Sequence, residues 1–167
     1  GRECGNLLWG LHNVDLEVRY WKDAELRDNV LVPLLTRAVN YYRHFLVTGE
    51  DGRLHLPITY SPEYRSAADC SYDLDLLHWG VARLLELADE RSLTPKDEPL
   101  ITAWADIRSR LVVPHVNETG RMIGRDVALT GGHRHWSHLL AIYPLRTLRP
   151  GEPQDESLIE RSLAHWQ

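Results

Sequence analysis

The chain has no run of basic residues: its 19 lysines and arginines are scattered among 24 aspartates and glutamates, for a formal net charge of −5. Nucleic acid binds to clustered cationic faces, so it is not an expected partner. No stretch approaches the roughly 18 apolar residues of a membrane-spanning helix, and no membrane partner is expected. The opening residues, Gly1-Arg2-Glu3-Cys4-Gly5, lack the apolar core of a signal peptide. With two cysteines, Cys4 and Cys70, far apart in sequence, neither a disulfide scaffold nor a metal knuckle is expected. Free, mostly buried thiols are the economical reading. No cofactor motif stands out, and none is expected.

What is present is apolar residue enough for one core. At 167 residues, 43% hydrophobic and 26% charged, the composition is that of a single globular domain over residues 1–167. The sequence opens without methionine and closes inside a helical pattern, and so reads as a fragment of a longer domain.

Helical periodicity dominates. The pattern predicts a helix from about Leu16, with Leu16, Arg19, Tyr20, Asp23 and Ala24 on one side and Asn13 and Asp15 just ahead of it as candidate caps. A second helix is expected over roughly 30–48, with Leu31, Leu35, Ala38, Tyr42 and Phe45 in its stripe. A third runs from about Tyr72 to Glu90, burying Leu74, Leu77, Val81, Leu84, Leu85 and Ala88, with Asp69 or Ser71 as N-cap. Leu100 to Leu111 mark a fourth, ending before Pro114. Leu139, Leu140, Ile142 and Leu145 suggest a short piece limited by Pro144. A last helix starts at Pro153 and turns Leu158, Ile159, Ser162, Leu163 and Trp166 inward. A short hairpin around Gly120 is the most β structure expected.

Two non-helical stretches concentrate the chemistry. In Arg53-Leu-His-Leu-Pro-Ile-Thr-Tyr-Ser-Pro-Glu-Tyr64 the prolines at 57 and 62 keep the backbone extended or turned, placing Glu63 on a loop amid Tyr60 and Tyr64. Partial desolvation by these neighbours would raise its pKa, as a general acid requires. The block His133-Arg134-His135-Trp136-Ser137-His138 invites a zinc reading, but it has neither the paired-histidine spacing with its glutamate nor a cysteine pair. No metal is therefore expected. Imidazoles and a guanidinium beside a cleft suit sugar hydroxyls, which require such donors and acceptors. Asn13 and Asp15, two apart in an extended segment, would point to one face and could hold a water between them.

Ser61-Pro62-Glu63-Tyr64, Asn13-Val14-Asp15 running into Tyr20-Trp21, and His133-Arg134-His135-Trp136-Ser137-His138-Leu139 together resemble glycoside hydrolase family 95. Their order is that of the family's Asn-x-Asn and Tyr-Trp segment, Ser-Pro-Glu loop and His-Arg-His-x-Ser-His-Leu block. The resemblance covers most of the chain and implies an inverting α-L-fucosidase, or a relative acting on α-L-galactosides. The implied fold is all-α: an incomplete (α/α)6 barrel of paired helices with a loop-borne Ser-Pro-Glu segment. Five or six candidate helices fall short of the twelve in a complete toroid. By the same resemblance Glu63 matches the general acid, while Asn13 and Asp15 match the water-holding pair, which inversion places about 6.5–9.5 Å across the sugar from the acid. Asp15 stands where the family has Asn and could accept the proton itself. The family's Gln-Ile-Asp-Gly-Asn-Phe-Gly block, with its remote aspartate, has no counterpart here.

His12, Tyr60, Tyr64, His133, Arg134, His135 and His138 are the candidate sugar contacts. The partner expected is a carbohydrate. The alternative is a helical carbohydrate-binding or interaction remnant that has lost catalysis. A secreted or periplasmic parent would suit the resemblance, though these residues carry no leader.

Overall fold

The computed structural model describes residues 3–166, and they are mostly helical. Six α-helices and six two-residue strands follow in the order α1 (Asn6–Trp21), α2 (Ala24–Leu26), a π-helical turn (Arg27–Leu31), α3 (Val32–Arg43), β1 (Val47–Thr48), β2 (Leu54–His55), β3 (Thr59–Tyr60), β4 (Ser66–Ala67), α4 (Ser71–Glu90), α5 (Leu100–Arg110), β5 (Val116–Asn117), β6 (Gly120–Arg121), a 3-10 turn (Ser137–Leu139) and α6 (Pro153–Trp166). No helix among the described residues is long and apolar enough to cross a membrane.

The chain forms two compact units, one of residues 5–54 and 77–111, the other of residues 3–4, 55–76 and 112–166. The first is built on α1, which starts ten residues earlier than its polar flank suggests. Leu8, Leu11, His12, Asp15 and Val18 recur at helical spacing and are all buried. Two of those five are polar, which hides the stripe in the sequence. The side on which the pattern groups Leu16 with Tyr20 is the outer one: Leu16 is 49% and Tyr20 78% exposed. Asn13 and Asp15 are consequently neither caps nor members of an extended pair. Two positions apart on a helix, they point about 160° from one another.

The predicted helix over 30–48 is shorter and interrupted. It closes at Arg43, and β1 follows, with Gly49 N–H donating to Arg53 O at 2.9 Å around the turn. The π-helical turn ends at Leu31, with Val32 between it and Pro33. Proline has no N–H to offer and its ring crowds the carbonyl four residues back, so the widened turn relieves a clash. Gly80 packs closely against Leu8, Leu35 and Val39: a Cβ there would lie 3.1 Å from Leu8 Cδ2, which would have to shift by a few tenths of an ångström to admit it.

The second unit is looser in secondary structure, with its core in Leu56, Tyr72, Leu74, Ile123, Leu139, Leu140 and Ile159. β3 and β4 pair antiparallel, Thr59 opposite Ala67 and Tyr60 opposite Ser66. β5 and β6 do the same around Gly120. With β1 and β2 this makes three two-stranded pairs where one hairpin was expected. Strands of two residues leave too short a trace for an alternation pattern. Residues 140–145 form turns and a bend after the 3-10 segment, not a helix.

Gly120, at φ +112, is where α6 comes closest, and a Cβ there would lie 2.7 Å from Ser162 Cα. Ser162 Oγ accepts from Arg121 N–H at 3.0 Å and donates to Leu158 O at 2.6 Å. The seam is thus polar and closely packed.

A loop-borne carboxylate and its cationic partners

Glu63 sits at the tip of the β3–β4 hairpin. Ser61 N–H donates to Arg65 O at 2.8 Å and Tyr64 N–H to Ser61 O at 3.0 Å, so residues 61–64 close a β-turn. Pro62 supplies its fixed φ at the second position, and Glu63 takes a left-handed φ of +53 at the third, the type II arrangement. Glycine usually occupies that position, and an L-residue there costs roughly 1 kcal/mol.

The base of the hairpin is tied to the histidine block by Ser61 Oγ and Ser137 Oγ, 2.6 Å apart and both buried. Above this bond the Glu63 carboxylate accepts from Arg134 Nη2 and lies 2.9 Å from His135 Nε2. Tyr64 stacks edge-on to His133, with ring centroids at 5.1 Å, and its hydroxyl accepts from Thr130 N–H at 2.9 Å. His133 in turn lies 5.3 Å from the His135 ring, and its Nδ1 accepts from His135 N–H. Glu63, Tyr64, His133, Arg134 and His135 therefore form one cluster, as the motif pattern anticipates. Tyr60 lies in β3 and is half-buried.

The electrostatics differ from expectation. The Glu63 side chain is 52% exposed, not desolvated by Tyr60, Pro62 and Tyr64. Hydrogen bonds from His135 and then Arg134 hold its carboxyl below the usual glutamate range. Two donors that favour the charged form outweigh the slight burial.

His138 belongs to the same block but not to the cluster. It is 2% exposed. Burial, assisted by the nearby Arg121 charge, pushes its imidazole down to about 4. Its Nδ1 has no hydrogen-bond partner.

His12, Asn13 and Asp15 lie in the first unit, and Asn13 is exposed there on α1. His12 is buried edge-on to Trp79 at 5.1 Å, and burial lowers its pKa. Asp15 is an ion-pair hub: Oδ1 accepts from Arg83 Nε at 2.7 Å and Oδ2 lies 3.1 Å from Arg19 Nε. Arg83, itself buried, also reaches Glu86 at 3.2 Å and Glu90 at 2.8 Å.

The acids at the start of α4 each have a separate partner. Asp69, fully buried at φ +48, accepts from Leu56 N–H at 2.8 Å. It also meets His55 Nδ1 at 2.8 Å, His115 Nε2 at 3.3 Å and the Arg125 guanidinium. Asp73 accepts from Thr59 Oγ1 at 2.6 Å, and Asp75 pairs with Arg121 Nη2 at 2.5 Å. Sequence reasoning missed the Asp69 network because its partners are 13 to 56 residues away. No group of three or more histidine, cysteine or acidic residues among those described is arranged to hold a metal ion. The Cys70 thiol is buried and pushed up to about 12.

A family profile described as Glycosyl hydrolase family 95 catalytic domain matches residues 5–164. Comparison with curated proteins returns no match.

Proposed function

Because the chain belongs to glycoside hydrolase family 95, we propose that it removes terminal α-L-fucosyl groups, or the related α-L-galactosyl groups, from oligo- and polysaccharides with inversion at the anomeric carbon. Glycoside hydrolysis follows from membership, and carbohydrate is the substrate class. The sugar, the linkage and the stereochemistry are the proposal. In this reading the helices are part of an (α/α)6 toroid.

One observation carries the site: Glu63 of the Ser-Pro-Glu turn meets Arg134 and His135 of the histidine block, 71 and 72 residues away in sequence. A carboxyl group ringed by a guanidinium, imidazoles and a phenol matches what a pyranose presents, a set of hydroxyls that both donate and accept.

Glu63 is the proposed general acid. In its present pairing it is held as a carboxylate, so the role requires sugar hydroxyls to take over the donors of Arg134 and His135. Losing those two bonds returns the carboxyl pKa upward, and the protonated acid can then serve the leaving oxygen.

On the water side the resemblance implies Asp15 with Asn13. For Asp15 to act as base, one of its guanidinium contacts must give way to a water. The saturation of Asp15 by Arg83 and Arg19 favours the second reading, a carbohydrate-binding domain without turnover.

Incubating the chain with fucosylated and α-L-galactosylated oligosaccharides and following monosaccharide release separates the two. Release abolished by Glu63→Gln supports the hydrolase, whereas saturable binding without release supports the binding domain.

A further inference from the structure

Two tryptophans beside the Glu63 cluster are left with work the fold does not require of them. Trp136 follows His135 directly in the chain and is 43% exposed. It lies in the irregular backbone before the 3-10 turn, with φ −107 and ψ 42. Trp166, from the last turn of α6, meets it edge-on at 5.8 Å between centroids. The Trp166 indole N–H is spent on His133 O at 3.1 Å, which fixes that ring to the backbone of the cluster. Trp136 makes no side-chain hydrogen bond among the described residues, and nearly half of its surface is open to solvent. Leu163, three residues before Trp166 on the same side of α6, is 38% exposed, against the expectation that both turn inward.

We propose that Trp136, braced by Trp166, is the stacking platform for the sugar that carries the cleaved bond, the leaving-group residue. The inference rests on the hydrolase reading of Glu63. A general acid stands beside the leaving oxygen, so the groups flanking it border the sugar on that side. A pyranose has an apolar C–H face and a hydroxylated rim. The indole face of Trp136 next to the Arg134 and His135 donors offers both within one step of the chain. Trp136 thereby becomes a specificity residue for the acceptor sugar, one that orients the bond and performs no proton transfer.

Covering most of one indole face against a pyranose removes enough apolar surface from water to change affinity about tenfold to thirtyfold. The test uses the whole chain, with Trp136→Ala and Trp136→Phe compared on a fucosylated oligosaccharide and on α-L-fucosyl fluoride, which has no leaving-group sugar. Binding of the oligosaccharide is measured separately by calorimetry. The proposal expects Trp136→Ala to weaken oligosaccharide binding about tenfold or more and to raise KM far more than it lowers kcat. It also expects a loss on the oligosaccharide at least about fivefold greater than on the fluoride, and substantial retention by Trp136→Phe. An unchanged dissociation constant, or equal loss on both substrates, overturns it. Binding that depends on Trp136 without any turnover by the unaltered chain upholds the platform and defeats the hydrolase reading instead.

Discussion

Ser61 and Ser137 share a buried hydrogen bond of 2.6 Å, and through it the turn that displays Glu63 is held to the block that supplies Arg134 and His135. Removing one hydroxyl leaves the other buried and unpaired, at a cost of about 1–2 kcal/mol. Ser61→Ala and Ser137→Ala are each expected to lose that much in urea unfolding. The double variant should lose less than the sum, since the second substitution removes the orphaned group. Strict additivity would mean that the two hydroxyls do not depend on one another.

The pairing of Glu63 predicts a direction for pH dependence. His135 and Arg134 lower its pKa by favouring the charged form, so Arg134→Met must raise it. A general acid works while protonated, and its deprotonation forms the alkaline limb of kcat/KM. That limb is expected to move to higher pH in Arg134→Met, even as overall activity falls through weaker sugar binding. A limb that stays in place, or moves down, contradicts the assignment of Glu63.

Asp15 predicts a stability effect. It is the buried partner of buried Arg83, and breaking such a pair on one side is strongly unfavourable. Asp15→Asn is expected to lower the unfolding free energy by about 3 kcal/mol. A variant of unchanged stability but no activity would instead mark Asp15 as a base whose ion pairs contribute little to the fold.

His138 gives a second pH prediction. Its folded pKa of about 4 lies below the 6.5 of an ordinary histidine, so between these values the unfolded chain binds a proton that the folded chain does not. Stability therefore rises with pH through this window, is complete above about 6.5, and is lost as pH falls towards 4. His138 accounts for about 2 kcal/mol of the difference between pH 7 and pH 4.5. Urea unfolding of His138→Leu at the two values should show a shallower dependence by that amount, and an unaltered slope would refute the burial argument.

What was legible in the sequence is local, and what was hidden is not. α4, α5 and α6 are found within a residue or two of their predicted limits, because Leu74, Leu77, Val81 and Leu84, or Trp104 and Ile107, repeat at the helical period with turn residues at the ends. The β5–β6 hairpin follows from Gly120, where a positive φ is needed. The start of α1 was obscured because His12 and Asp15 occupy inward positions. Their burial makes sense only with Trp79 and Arg83, some 67 and 68 residues away.

In the candidate site, the convergence of residues 61–64 with 133–137 could be anticipated only from the order of the motifs. Its electrostatics could not, because the sign of the Glu63 shift depends on which neighbours reach the carboxylate. Tyr60 and Tyr64 are close in sequence but leave it half exposed, and Arg134 and His135 are distant in sequence and touch it. His138 shows the same limit in reverse: it is three residues from His135, yet it belongs to the core.

The most direct test of the account follows a fucosylated oligosaccharide by proton NMR, with the unaltered chain and with Glu63→Gln, and repeats both with α-L-fucosyl fluoride. The account predicts that β-L-fucose appears first, before mutarotation. It also predicts that Glu63→Gln removes nearly all release from the oligosaccharide while sparing the fluoride, whose departure needs no proton. Initial release of α-L-fucose, or equal loss on both substrates, would contradict it.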